Sequence, residues 1–102
     1  MNTLASQHQH LSNLFGGKTA MDERFAQAQW TQLHTGAPVL ADALLAFDCV
    51  ISEVVSFATH DVLLCSVQVI RQTKNQDNAL IYFNRGYCVD ILQVTHIGIL
   101  RI

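Results

Sequence analysis

Residues 44–70 read LLAFDCVISEVVSFATHDVLLCSVQVI, two long apolar runs around a short polar break. The runs, 44–55 and 62–70, are rich in Val, Ile, Leu and Cys, and residues 56–61 between them tolerate a turn. Side chains alternate faces along a strand, so Val62, Leu64, Ser66 and Gln68 share one face and Leu63, Cys65, Val67 and Val69 the other. The second face is wholly apolar and the first is mixed. That pairing suits the wall of a barrel with a packed interior and an exterior partly covered by a helix or a partner.

Working outward toward the C-terminus, residues 79–83 and 87–94 read as two further strands, separated by the turn Asn84-Arg85-Gly86, and the four runs form an antiparallel meander. Residues 90–102 are strongly apolar and need a covering surface, as an extra strand here or in a neighbouring subunit. Toward the N-terminus, residues 6–15 place Leu11, Leu14 and Phe15 at helical spacing, and Gly16-Gly17 stops that helix. A second helix begins near Thr19 as N-cap, carries Asp22 and Glu23 in its first turn where the dipole favours anions, and ends before Trp30. Residues 30–38, with Thr35-Gly36 and the lone proline Pro38, read as an irregular connection from which Val39 and Leu40 dip inward. The residue pattern gives a mainly β (α+β) fold class, an antiparallel barrel wall with one or two short helices, as a single domain.

Bulk properties narrow the function. The chain has 102 residues, half of them hydrophobic and only 14% charged, which is apolar for so small a body and points to surface that meets another chain. Six Lys and Arg against eight Asp and Glu, with the cations scattered singly, argue against a nucleic-acid surface. No stretch has the roughly 20 consecutive apolar residues of a membrane helix and the start lacks a signal-peptide pattern, so a cytoplasmic protein is expected. Cys49, Cys65 and Cys88 lack CxxC spacing, and Cys49 and Cys65 fall in runs that read as buried strand, where a thiolate is disfavoured. His8 and His10 are two apart, without the spacing of zinc ligands, and no metal is expected.

One cluster suggests binding. Tyr82, Arg85 and Tyr87 gather around the last turn, where a cation and two rings suit a dinucleotide's phosphate and bases; ordinary cross-strand aromatics are the alternative. On residue type alone, His60 is a turn histidine at a strand opening.

Three stretches in order resemble the second half of the short-chain flavin reductase family, which includes the reductase component of 4-hydroxyphenylacetate 3-monooxygenase. The first is Asn2-Thr3-Leu4 leading through Gln9 and Leu11 to Phe15-Gly16-Gly17 and Met21-Asp22-Glu23-Arg24-Phe25, similar to the family's "F-x-G … D-x-R/K-F" run. The second is Trp30, Gly36-Ala37-Pro38-Val39-Leu40 and the segment from Ala43 to Asp48-Cys49, similar to "G-x-P-x-L … A-x-x-x-x-E/D-C". The third is Thr59-His60-Asp61-Val62 with Leu80-Ile81-Tyr82-Phe83-Asn84-Arg85-Gly86-Tyr87, similar to "G-D-H-x-I-x-x-G-x-V … L-x-Y-x-x-G-x-Y". Short motifs are individually weak, and their order and spacing carry the resemblance.

The resemblance implies an antiparallel split β-barrel, incomplete in this chain, that dimerises and holds FMN, with FAD as the alternative flavin, near the subunit interface. NADH or NADPH would deliver hydride to the flavin, and reduced flavin would pass to a monooxygenase. His60 matches the family histidine that faces flavin and nicotinamide and is the candidate catalytic residue. Phe15 and Lys18, flanking the Gly16-Gly17 turn, join Tyr82, Arg85 and Tyr87 as candidate cofactor contacts, with a plain helix C-cap and a packed phenylalanine as the other reading of that turn. Two departures qualify the match: Ala58-Thr59 stand where the family has Gly-Asp, and Met1 falls well inside the family's domain, so early flavin-binding strands are expected to be absent. Two readings follow, an NAD(P)H:FMN oxidoreductase working as a homodimer or higher oligomer, or a truncated split-barrel module that dimerises without binding flavin.

Overall fold

The computed structural model describes residues 1–73 and 78–88. The chain opens with strand β1 (Asn2–Thr3), a 3-10 turn (Ser6–His8), helix α1 (Gln9–Phe15) and helix α2 (Met21–Phe25). Short strands β2 (Trp30–Thr31) and β3 (Val39–Leu40) follow, then the long hairpin of β4 (Leu45–Phe57) and β5 (His60–Gln72), and finally β6 (Ile81–Phe83) and β7 (Gly86–Cys88). Among the described residues the fold is mainly β with two short helices, in three antiparallel sheets that do not close: β1-β4-β5, β2-β3 and β6-β7.

Several local readings change. The second helix begins with Ala20, not Thr19, at the N-cap position and without a side-chain cap, while the Thr19 carbonyl accepts from Arg24. The connection after α2 is not wholly irregular, since Trp30 and Thr31 pair with Leu40 and Val39. The meander is interrupted: β6 and β7 pair only with each other among the described residues, while Ala79 bridges Ala5 rather than extending β6. Hydrogen bonds from Ser6 N–H to Asn78 O (2.8 Å) and Leu80 N–H to Leu4 O (3.0 Å) tie that hairpin to the N-terminal segment. The apolar run at 90–102 and the strand beyond Cys88 lie outside the described residues.

The β4–β5 hairpin is longer and tighter than the sequence suggests, pairing from Leu45↔Gln72 to Phe57↔His60 around the two residues Ala58 and Thr59. Gln68 on β5 and Ser52 on β4 have no cross-strand partner, so each strand holds one bulge. A bulge reverses the alternation beyond it. Val69 therefore stands opposite Asp48, on the face of Ser66 and Leu64, rather than with Val67. At its base the ribbon is packed, with Ala46 and Asp48 buried; beyond Cys49 both faces are bare. Val54, Val55, Val62 and Leu63 are about half exposed, and Phe57 is 79% exposed. Cys65 is exposed too, against the expectation of a buried thiol, because none of the described residues lies over that part of the ribbon.

The core sits at the other end. Leu11 from α1, Leu40 from β3 and Ala43 form a buried cluster, with Leu4, Leu14, Phe15, Ala28 and Trp30 packed around it. Val39 and Leu40 are 3% and 1% exposed, as their apolar character before a polar turn suggests. Two polar side chains are also buried. His8 accepts the Ala5 N–H at Nδ1 (2.9 Å), which leaves its proton on Nε2, 3.0 Å from Asp42 Oδ2. That contact with His8 is the main reason the Asp42 carboxyl is held below its ordinary pKa.

Candidate functional site

Three rings meet beside the core. Phe15 at the end of α1, Phe25 at the end of α2 and Trp30 at the start of β2 stand edge to face, with centroids 5.3, 5.8 and 5.0 Å apart. This spacing is favoured by the ring quadrupoles. The Trp30 indole N–H donates to Phe25 O (2.9 Å), so the end of α2 fixes the indole's orientation. The rings form one side of an open cavity of about 470 Å³, and Leu4, Leu11, Pro38 and Leu40 extend its apolar lining. Its two polar lining residues are engaged: Asn2 bonds the β3 backbone, and Ser12 Oγ accepts from Tyr87.

The loop between the helices is held by Arg24. Its guanidinium donates to Thr19 O (2.5 Å), Gly17 O (2.7 Å) and Phe15 O (3.2 Å), so three carbonyls of the connection converge on one cation. Sequence reading placed Arg24 in a family motif without assigning it this role; the signal was an arginine one turn into a helix that follows a glycine pair. The clamp keeps Phe15 in the cavity wall and leaves Lys18 exposed on the loop.

The β6–β7 hairpin meets α1 through Tyr87. Tyr82 and Tyr87 are cross-strand partners with centroids 5.1 Å apart, and the Tyr87 hydroxyl bonds Ser12 Oγ (3.0 Å) and Asn13 Oδ1 (2.9 Å). Tyr87 thus reaches the cavity's rim through Ser12. Tyr82 is exposed, and Arg85 stands in the turn with φ 60° beside Asn84 with φ 51°. Of the residues picked from the sequence, Phe15, Lys18, Tyr82, Arg85 and Tyr87 therefore belong to the α1 end of the molecule. His60 does not join them. It is exposed beside the turn at the far tip of the ribbon, its Nδ1 2.9 Å from Thr59 Oγ1. The ribbon carries it on the order of 40 Å along the strand from Gln72, at the usual rise of about 3.3 Å per residue.

A buried acid holds the loop between β2 and β3. Asp48, 2% exposed, accepts the backbone N–H groups of His34 and Thr35 at Oδ2, both at 2.7 Å, and the Thr35 hydroxyl at Oδ1. Those bonds, led by the Thr35 hydroxyl, hold its carboxyl below the ordinary carboxylate range. The sequence motif contained Asp48, and only the fold shows that it grips a loop thirteen residues earlier in the chain.

Residues 1–89 match the profile of the flavin reductase like domain, and the chain belongs to that family. It is 53% identical over 88 residues to an FMN reductase (NADH) RutF of Acinetobacter baylyi, covering 86% of this chain and 46% of that protein. Against the FMN reductase (NADH) RutF of Agrobacterium fabrum the identity is 55% over 89 residues, 87% of this chain and 51% of that one. The chain spans about half the length of these curated relatives. A Haemophilus somnus protein solved as a candidate flavin reductase superposes with a TM-score of 0.83 at 46% identity, over 87% of this chain and 56% of that one. The flavin reductase HpaC, solved with NADP+, shares the fold at a TM-score of 0.73 and 22% identity, over 85% and 54% of the two chains. The neighbours are flavin reductase split-barrel folds, and the open sheets of this chain follow the same architecture.

The cavity's chemistry fits the ring part of a flavin. Phe15, Phe25, Trp30 and Pro38 present flat apolar surface to a planar ring system, in a space of suitable size for it. Lys18 and Arg85 are exposed, and neither lines the cavity.

Proposed function

We propose that this chain is the portion of an NAD(P)H:flavin oxidoreductase that walls the flavin site, working with FMN and NADH. The observation that carries the reading is that the family match over residues 1–89 covers every residue of the aromatic cavity and of the two-tyrosine hairpin beside it. When bound, the flavin supplies the hydride acceptor, and the protein's part is to hold rings in register and keep water away. Phe15, Phe25 and Trp30 would pack the ring system. Lys18 and Arg85 would meet phosphate groups, and Tyr82 and Tyr87 would flank the nicotinamide dinucleotide.

His60 enters this scheme through a second copy. The apolar β4–β5 ribbon, bare on both faces, supports a homodimer or higher oligomer in which one protomer's ribbon packs on its partner. His60 at the ribbon tip would then meet the partner's cavity rather than its own. Reduced flavin would leave for a monooxygenase component. Because the chain spans about half of its relatives, strands that complete the barrel and the flavin site are part of this reading.

The test is an FMN titration followed by Trp30 fluorescence, with NADH oxidation measured on the same sample. Saturable quenching together with FMN-dependent NADH consumption is the expected result. Quenching without turnover would assign the chain flavin binding alone, and no saturable quenching would leave a split-barrel module that folds by dimerising.

A further inference from the structure

The β2–β3 segment, which brings Trp30, Pro38 and Leu40 to the cavity, has little to hold it by itself. Strands β2 and β3 contribute two residue pairs, and the connection between them turns through Gly36 at φ 85°. So short a ribbon is marginal alone. Its position comes instead from polar side chains projecting from one face of the main sheet. Asn2, Ala46 and Arg71 lie in one cross-strand row, and Asp48 stands two residues along β4 on the same face. Asn2 Oδ1 accepts the Leu40 N–H (3.0 Å) and its Nδ2 donates to Pro38 O (3.3 Å). Arg71 Nη2 donates to Leu40 O (2.6 Å) and Ala41 O (3.2 Å). Asp48 takes the two N–H groups and the hydroxyl of His34 and Thr35. Ala46, 1% exposed, is small enough for the gripped backbone to lie close over the sheet.

We propose that Asp48 is a positioning residue for the aromatic cavity: by gripping the loop at His34 and Thr35 it fixes Pro38 and Trp30 in the wall that receives a planar ring. The inference rests on reading that cavity as the flavin seat. Asn2 and Arg71 hold the β3 end of the loop at Pro38, Leu40 and Ala41, whereas Asp48 alone among the three holds the bend at His34 and Thr35, between Trp30 and Pro38 in the chain. A carboxylate is the group that accepts all three donors at once. An amide in its place keeps one acceptor for the two N–H groups and puts its NH2 against the Thr35 hydroxyl, which must then accept, so all three bonds lose the carboxylate's charge.

The experiment compares Asp48→Asn and Asp48→Glu with the unaltered chain, at a temperature where circular dichroism shows each fully folded. FMN is titrated against Trp30 fluorescence, and amide exchange is followed at His34 and Thr35. Asp48→Asn is expected to weaken FMN by about tenfold, the size of one charge-assisted bond lost, and to release both amides, with Asp48→Glu recovering most of each effect. Unchanged FMN affinity in the folded Asn variant, with only its melting temperature lowered, would make Asp48 merely structural and overturn the proposal. Should Asp48→Asn not fold, Thr35→Val removes one donor and keeps the acid; a several-fold loss of FMN affinity supports the proposal and none overturns it. If the unaltered chain binds no FMN, the flavin reading fails, and the positioning of a flavin fails with it. Unchanged amide exchange in Asp48→Asn beside normal FMN binding would sink the loop grip and leave the flavin reading standing.

Discussion

The Tyr87 hydroxyl lies 2.9 Å from Asn13 Oδ1, joining the last described hairpin to helix α1 across most of the chain's length. Replacing Tyr87 by Phe keeps the ring packed against Tyr82 and removes this bond and the one to Ser12. The expected cost is about 0.5–1.5 kcal/mol for a net hydrogen bond, read by urea denaturation. If Tyr87 also flanks the dinucleotide, KM for NADH rises while the FMN affinity stays near that of the parent.

Arg85 and Ala58 both occupy turns at positive φ, 60° and 53°, a region that penalises a side chain by about 1–2 kcal/mol. Glycine at either site should relieve that strain and raise stability by about 0.5–1 kcal/mol after its own entropic cost. The two substitutions should part company in function. Arg85→Gly is expected to raise KM for NADH as it raises the melting temperature, because a strained cation in a turn is retained where it has a task. Ala58→Gly should stabilise with no such penalty. An unchanged KM in the Arg85→Gly variant would place Arg85 outside the site.

Acid should loosen the loop at Asp48. Its carboxyl is held low in the fold, so the stabilisation it provides is complete above about pH 4, the unfolded carboxylate value, and is lost as pH falls through the lower folded value. The acid limb of a melting-temperature profile should therefore be shallower in Asp48→Asn than in the parent. Parallel limbs would mean that other carboxylates govern acid unfolding.

The ribbon predicts self-association. Leu63 is about half exposed opposite Val54, and a charge there faces whatever covers the sheet. Sedimentation should show a dimer or larger species for the unaltered chain and a shift toward monomer for Leu63→Glu, with the far-ultraviolet circular dichroism retained. Substituting His60 by Ala should leave the assembly intact and slow NADH oxidation. An unchanged rate would remove His60 from the chemistry.

Burial in the core sets a larger scale. Leu40 is 1% exposed and touches both the cavity and the central cluster. Leu40→Ala should cost about 2–5 kcal/mol, a large part of the roughly 5–15 kcal/mol that holds a domain together, and chemical denaturation would read it directly.

Periodicity was enough to find the β4–β5 hairpin, helix α1 and the inward Val39-Leu40 pair, because each is a local pattern of apolar spacing. It failed at Val69, where an unpaired Gln68 reverses the alternation, since a bulge is defined by the partner strand and leaves no mark in its own. It also failed at Cys65: an apolar strand reads as buried whether or not its cover belongs to the same chain. Phe15 and the tyrosine pair were legible as aromatic residues beside turns. Arg24 and Asp48 were visible as motif members, but their tasks were not, because each binds main-chain atoms that only the folded path brings near.

The two bulges of the long ribbon cancel. The pairing is displaced by one residue between Gln68 and Ser52 and returns to its original offset before the tip, which is what allows Phe57 and His60 to close across two residues. Losing either odd residue alone would leave the strands mismatched at the tip and turn the histidine to the opposite side, whereas losing both would pass almost unnoticed. Length changes in this hairpin among related chains should therefore occur as matched pairs, one in each strand.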